Sequence, residues 1–150
     1  MTKPPVKVEF FREITSSCHP AVSSVEAFVR ALCLKDEAVL HACFAQDPHA
    51  PFLDTLPGGV QVRSAAQLSE RHRDFFAHPD TAVQAGALQE GMGNADLFVC
   101  SVPVAVTLPD LSIRRMYIDM TFIPNAAPGP AWVPIRLLNT VIDPAQVALP

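Results

Sequence analysis

Asp119 is the carboxylate whose surroundings raise the first chemical question. It stands in MYIDMTF (116–122), among large apolar residues in a segment typical of a β-strand. A buried carboxylate is costly unless it is paired, hydrogen-bonded or kept neutral. Asp119 is therefore a catalytic group, one half of an ion pair, or a solvated side chain on an exposed face.

A second carboxylate, Asp54, and a histidine, His72, lie close to apolar residues. Asp54 stands in FLDTLPGG, a loop stretch, and its residue type favours an aspartate that caps or turns the chain. His72 lies on the apolar side of a predicted helix, which favours a histidine in the core or lining a pocket over a catalytic one. The remaining histidines, which are His19, His41, His49 and His78, lie at helix edges and in loops without metal-ligand spacing.

Neither the cysteines nor any cofactor motif adds further chemistry. Cys33 and Cys43 fall in apolar helical patterns and Cys100 in an apolar strand, and no CxxC spacing occurs. We interpret them as small buried hydrophobes. No P-loop, GxGxxG or HExxH motif occurs, so we expect neither a metal nor a cofactor.

The composition limits the kinds of partner. A chain of 150 residues suits one domain, and 49% apolar residues favours an oligomer with a covered face. The net charge is −4, and no Lys/Arg cluster forms a phosphate footprint, which argues against nucleic acid. No apolar run approaches the ~20 residues of a membrane span, and the N-terminus has no signal-peptide pattern, so we expect a cytoplasmic protein without membrane contact.

Apolar spacing predicts three helices in the N-terminal half. Ser23 and Glu26 form a capping-box pattern before the first helix, Asp36 can cap a second, and Ser64 begins a third that Pro79 ends. The inward residues are Val25, Phe28, Val29, Leu32 and Cys33, then Val39, Leu40, Cys43 and Phe44, then Leu68, His72, Phe75 and Phe76.

Strands dominate beyond Pro79, and together with the helices they predict an α+β fold. A short extended piece is expected at 52–54, between the second and third helices. Four strands rich in β-branched and aromatic residues follow, separated by Gly, Pro and Asn. They are TAVQAGALQEGMGN, ADLFVCSVPVAVTLP, LSIRRMYIDMTFIP and AWVPIRLLNTVIDP. We expect the four to form an antiparallel meander.

The orientation of Asp119 depends on the hairpin of the last two strands. A symmetric turn around Ala127 and Pro128 places Asp119 opposite Arg136, a pair worth about 0.2–1 kcal/mol. One face of the hairpin is then apolar, and turning it to the core points Asp119 outward. The polar face holds Arg115, Tyr117, Asp119, Thr121, Arg136 and Thr140, and the apolar face holds Met116, Ile118, Met120, Phe122, Val133, Ile135 and Leu137.

The order of these elements resembles the NTF2-like superfamily, which includes SnoaL-like polyketide cyclases and ketosteroid isomerase. The similarity covers about residues 23–142 and rests on order and spacing. Its pieces are VEAFVRALCLKDEAVLHACFAQD, LDTLPGG, RRMYIDMTF and a last strand that opens on Trp132 in AWVPIRLLNT. The resemblance implies three helices packed in a curved antiparallel sheet, a conical pocket between them, and a homodimer through the outer sheet face.

The resemblance to ketosteroid isomerase also implies a site. Asp54 matches the general base of that enzyme, and Asp119 matches its protonated strand aspartate, which would then face inward. The position of its oxyanion-binding tyrosine falls on Phe28, which has no hydroxyl, and losing one such donor typically costs 10²–10³ in rate. Tyr117 shares a face with Asp119 and would be a pocket donor only if both face inward. Further candidates for ligand contact are Phe28, Phe52, His72 and Phe76.

Two functions remain open from the sequence. One is a small-molecule-binding protein with cofactor-free isomerase, cyclase or dehydratase chemistry, in which Asp54 is the base and Asp119 an acid or hydrogen-bond donor. The other is a non-catalytic module that dimerises or binds a ligand without turnover. In either case we expect an N-terminal arm over 1–20 and one domain over 21–150.

Overall fold

Three helices occur within the residues that the computed structural model describes, which are 19–45, 52–55, 59, 61–126 and 128–141. They are α1 (Val22–Leu34), α2 (Glu37–Ala42) and α3 (Ala65–Ala77). Of the predicted arm over 1–20, residues 1–18 lie outside the described residues, as does Ala127 in the predicted turn. The three helices and their order are as predicted.

Local capping explains where two of the helices begin. Asp36 and Ser64 each accept a hydrogen bond, 3.1 Å long, from the backbone N–H three residues later, which confirms both as N-caps. The capping box at Ser23 and Glu26 was wrong, because α1 begins at Val22 after an N-cap without a side-chain bond. Val39, predicted to face inward, is exposed.

Seven strands pair into one curved sheet within the described part of the chain. They are β1 (Leu53–Thr55), β2 (Gln61–Val62), β3 (Ala82–Ala85), β4 (Gln89–Gly93), β5 (Phe98–Thr107), β6 (Ile113–Pro124) and β7 (Trp132–Val141). The order across the sheet is β2-β1-β7-β6-β5-β3, and β4 also pairs with β5. The α+β class is confirmed.

The observed sheet differs from the predicted meander in two details. The stretch expected as one strand over 81–94 is divided into β3 and β4, which pair with different halves of β5. The sheet is also mixed, because β1 pairs in parallel with β7 while every other described pair is antiparallel. This parallel pair places Asp54 on the strand beside β7, one strand in from the edge of the sheet.

The register of the last hairpin differs from a symmetric turn around 127 and 128. Asp119 pairs with Leu138, and Arg136 pairs with Thr121, so the predicted cross-strand pair of Asp119 and Arg136 was wrong. The turn is centred slightly later than predicted, and a bulge between the pairs of Thr121 and Phe122 adds a further residue. Past the bulge, Pro134 rather than Val133 or Ile135 pairs with Phe122.

The core lies between α1 and the inner face of the sheet. Alternation along β6 buries Ile118, Met120 and Phe122, while the residues between them are only half-buried. Cys33, Cys43 and Cys100 are free and buried, as interpreted, and Trp132 is buried as well. Among the described helices, none is long and apolar enough to cross a lipid bilayer.

Candidate functional site

A cavity of about 440 Å³ lies between α1, α3 and the inner face of the sheet. It exists because α3 packs against α2 and presents its half-buried aromatic face to the sheet across a gap. The apolar wall consists of Phe28, Leu32, Leu68, Phe75, Phe76, Val83, Val104, Val106, Leu108, Met116, Ile118 and Leu137. The polar residues of the wall are Asp54, Arg71, His72, Arg114 and Asn139.

Asp54 is the carboxylate that the fold brings to this cavity. Parallel pairing sets Asp54 beside Leu137, so both side chains point to the inner face. Asn139 is two residues beyond Leu137 on the same face, and its Nδ2 donates to Asp54 Oδ1 at 2.7 Å. The same Nδ2 lies 3.1 Å from the Thr55 carbonyl oxygen, so Asn139 binds both the Asp54 carboxylate and the backbone of β1.

Burial changes the acidity of Asp54. The residue is only 2% exposed, and desolvation by its apolar surroundings raises its pKa from 3.8 to about 6. The hydrogen bond from Asn139 opposes this shift, because it stabilises the charged form. Asp54 is therefore an acid whose pKa lies close to neutral pH, which is the range that suits a general acid or base.

His72 contributes a ring nitrogen whose protonation state follows from its partner. Its Nδ1 lies 2.9 Å from the Leu68 carbonyl oxygen, which can only accept, so Nδ1 carries the proton. Burial lowers the pKa of His72, and the nearby charge of Arg71 lowers it further. The neutral ring then leaves Nε2 as a hydrogen-bond acceptor.

The predicted ligand contacts divide between the cavity and the rest of the fold. Phe28, His72 and Phe76 line the cavity together with Asp54. Phe52 does not line it; its ring instead packs edge-on against Phe44 with centroids 4.9 Å apart. The predicted contacts Phe28, His72 and Phe76 thus share one space, and Phe52 lies outside it.

Asp119 and Tyr117 lie on the opposite face of the sheet. Their neighbours Ile118 and Met120 point inward, so strand alternation turns both side chains outward, and Tyr117 is 38% exposed. The inward orientation of Asp119 implied by the resemblance is therefore corrected, because the apolar face of the hairpin covers the core. The structure does not bring Asp119 together with Asp54.

Three polar residues of the cavity were not anticipated from the sequence. Asn139 could have been found as a polar residue in phase with Leu137 on the inner face of β7, once the strand was recognised. Nothing in the sequence marked Arg71 and Arg114 as cavity residues, because exposed arginines are common on helices and at strand ends. Within the described ranges, no three His, Cys, Asp or Glu side chains are grouped as ligands for a metal ion.

Solved structures with the same fold share little sequence with this chain. A provisionally named calcium/calmodulin-dependent protein kinase type II association domain from Thiobacillus denitrificans is 18% identical, with a TM-score of 0.64 over 83% of this chain and 96% of that one. A provisionally named dehydratase from the NTF2-like family of Streptomyces avermitilis is 11% identical, with a TM-score of 0.62 over 80% and 92%. A provisionally named ketosteroid isomerase from Shewanella frigidimarina is 17% identical, with a TM-score of 0.63 over 80% and 94%.

Comparison by sequence gives no further relative. No protein-family model matches the chain, and no curated protein matches it. The structural likeness shows the fold: this chain has the NTF2-like arrangement of helices on a curved, unclosed sheet. The resemblance predicted from the order of its elements is confirmed at that level.

Proposed function

We propose that this protein binds a small, largely apolar molecule in the cavity and moves a proton on it, with Asp54 as the general base. The environment of the Asp54 carboxyl supports this proposal. A carboxyl group that is 2% exposed lines an apolar cavity, with its pKa raised to about 6 and one oxygen held by Asn139. A carboxyl with such a pKa is mostly ionised at pH 7 and yet a stronger base than an ordinary aspartate.

The chemistry that suits this group is proton transfer at a carbon next to a carbonyl. The Asp54 carboxylate takes a proton from that carbon, the C–H electron pair forms an enolate, and the same carboxyl returns the proton to that carbon or to a conjugated one. Return to a different carbon is an isomerisation, and the step balances without a cofactor. The neutral His72 is positioned as an acceptor for a hydroxyl of the ligand.

One feature of the cavity favours binding without turnover as the second candidate. Phe28 has no hydroxyl, and Tyr117 and Asp119 lie on the other sheet face, so the donors that ketosteroid isomerase would place there are missing. Missing one such donor typically costs 10²–10³ in rate. A ligand-binding module would keep the cavity and its aromatic wall but would not use Asp54 as a base.

A deuterium-exchange assay separates the two candidates. The probe is 2-tetralone, a bicyclic ketone whose C1 protons are acidified by the ring and the carbonyl, and NMR follows their exchange in D₂O. We expect the protein to accelerate exchange and Asp54→Asn to lower that acceleration about 10²–10⁴-fold. Asp119→Asn is the matched control, since it removes a carboxylate from the opposite face. Equal exchange with wild type and Asp54→Asn would contradict the base assignment.

We further propose that the outer sheet face forms a homodimer. Tyr117, Ile123 and Leu138 lie on this face beside only a few charged groups. One solved structure of the same fold is named as an association domain, which supports self-association of this architecture. Such an interface would leave the cavity open on the other side of the sheet.

A further inference from the structure

Two arginines line the cavity, and neither forms an ion pair with a described carboxylate. Arg71 comes from α3 and Arg114 from the start of β6. Within the described part of the chain, the ion pairs join Arg30 to Glu26 and Arg73 to Glu37, so neither cavity arginine takes part. The chain carries a net charge of −4, so general basicity does not explain two unpaired cations at one cavity.

Asp110 is a described carboxylate that Arg114 attracts, and the attraction is small. Asp110, fully exposed in the turn before β6, has a pKa below its ordinary value chiefly because Ser112 donates to it, and Arg114 contributes only a smaller attraction. No described carboxylate oxygen lies within 4.0 Å of the Arg114 guanidinium. Both cavity guanidinium groups therefore remain available to an anion.

The two arginines and Asp54 differ in their exposure to solvent, and Arg114 is separated from Asp54 along the cavity wall. Arg71 and Arg114 are exposed, whereas Asp54 is 2% exposed. Along the inner face of β6, Arg114 is followed by Met116 and Ile118, and Ile118 pairs with Asn139, the residue that donates to Asp54. Four residues of strand cover about 13 Å at ~3.3 Å per residue, which sets the scale of a ligand that reaches from Arg114 towards Asp54.

We propose that the ligand is an elongated apolar carboxylic acid, held with its carboxylate on Arg71 and Arg114 and its apolar body against the aromatic wall. This inference rests on the proposed function of the cavity and names its ligand class. A guanidinium binds a carboxylate through two parallel hydrogen bonds, and each is strengthened by charge. The reverse orientation is disfavoured, because it sets the ligand's carboxylate beside that of Asp54.

The orientation has a consequence for the chemistry. With the acid group at the open end, the carbon that reacts lies at the far end of the body, next to Asp54. The two arginines then select and orient the ligand, and they leave the proton transfer to Asp54. A neutral ketone lacks the group that the arginines hold, so its exchange should depend on Asp54 and not on them.

Calorimetric titration with a matched pair of probes tests the proposal. The pair is 2-naphthylacetate and 2-naphthylacetamide, which share shape and differ in charge. We expect the acid to bind about 10–100-fold more tightly than the amide, as for hydrogen bonds to a charged group. Arg71→Gln with Arg114→Gln should bring the acid close to the affinity of the amide and weaken the amide far less than the acid, because the amide carries no charge. Arg115→Gln is the control, because it removes the adjacent charge from the opposite face of β6 and should alter neither affinity.

Several results would overturn the proposal. They are equal affinity of acid and amide, an unchanged affinity of the acid in the double variant, an equal loss in Arg115→Gln, and failure of both probes to bind. The 2-tetralone assay on the same variants keeps the two proposals apart. Exchange that depends on Asp54, together with no preference for the acid, would contradict the anion site and leave the role of Asp54 intact. A preference for the acid that depends on the arginines, without exchange, would contradict the role of Asp54 as a base and leave the anion site intact.

Discussion

At the scale of single residues, the burial of Asp54 links function to stability. Its pKa is raised from 3.8 to about 6 in the folded protein, so the folded state holds the proton more tightly than the unfolded chain. The stability contributed by the protonated form is fully present below pH ~4 and is lost as the pH rises through about 6. Burial of the ionised carboxylate therefore lowers the stability of the folded state at neutral pH.

We therefore expect Asp54→Asn to be more stable than wild type at pH 7.5 and equally stable at pH 4. The shift in pKa corresponds to a difference on the order of 2–3 kcal/mol, at ~1.4 kcal/mol per unit. Asparagine keeps an oxygen that can accept from Asn139 Nδ2, so the local hydrogen bond need not be lost. Urea unfolding of both proteins from pH 4 to 7.5 measures the difference, and parallel pH profiles would contradict the burial cost.

Asn139 is a positioning residue whose effect should appear in the pH dependence. Its hydrogen bond favours the ionised form of Asp54, so removing it in Asn139→Leu should raise the pKa of Asp54 further. The midpoint of the pH–rate profile for 2-tetralone exchange should then move above that of wild type. Thr140→Val, a change on the outer face of the same strand, serves as control. A lower rate with an unmoved midpoint would indicate that Asn139 has a merely structural role.

At the scale of elements, a hydrogen-bonded cluster of Lys35, His78 and Thr81, called the clasp below, fixes the end of α3 relative to α1. Lys35 follows α1 in the left-handed conformation, and its Nζ donates to the carbonyl oxygens of His78 and Thr81 at 2.8 Å each. Thr81 is fully buried, and its hydroxyl accepts from Lys35 Nζ and donates to the Phe75 carbonyl. The clasp holds the aromatic end of α3 over the cavity.

Removing the hydroxyl of this clasp should be costly. Thr81→Val keeps the shape but leaves the Phe75 carbonyl with only the 3.3 Å bond from the His78 backbone N–H, and it leaves Lys35 with one acceptor fewer. We expect a loss of about 1–3 kcal/mol in the free energy of unfolding, and a much smaller loss for Thr81→Ser, which retains the hydroxyl. Thermal or urea unfolding distinguishes the two, and equal effects of Val and Ser would show that packing rather than the hydrogen bonds matters at this position.

Local signals in the sequence predicted the elements better than their pairing. Asp36 and Ser64 indicate where helices begin, because each side chain accepts a hydrogen bond from the backbone N–H three residues later. Both N-caps were confirmed. The parallel pairing of β1 with β7 joins residues more than 80 positions apart, and nothing in LDT indicates its partner. The hydrogen bond from Asn139 to Asp54 depends on that pairing, so the sequence could place Asn139 on the inner face of β7 but could not predict this contact. Asp119 points outward because the apolar face of the hairpin is buried. Its cross-strand partner differs from the predicted one because the turn is centred later and the bulge adds a residue.

At the scale of the whole molecule, the sheet has one face committed to the core and cavity and one face free for association. The outer face of β5, β6 and β7 carries apolar and small residues around the half-buried Asp119. The proposed homodimer would use this face, since most soluble oligomers are two-fold dimers. Because the cavity opens on the other side of the sheet, the proposed interface would not cover it.

Light scattering tests the assembly. We expect a particle of twice the chain mass of 16.2 kDa at micromolar concentration, and the single-chain mass for Leu138→Glu, which adds a charge to the outer face. Arg114→Gln, at the cavity, should leave the dimer intact. A wild-type mass of one chain would contradict the proposed interface.

A carbon-13 NMR titration of the Asp54 carboxyl, with the signal assigned by its loss in Asp54→Asn, tests whether this carboxyl is the base of the cavity. We expect a pKa of about 6 in the free protein, because the carboxyl is buried against an apolar cavity with one hydrogen-bond donor. Asn139→Leu should move the titration to higher pH. A pKa at or below the ordinary value of about 3.9 would show that Asp54 is well solvated or strongly paired. Such a result would contradict its assignment as the base of the cavity.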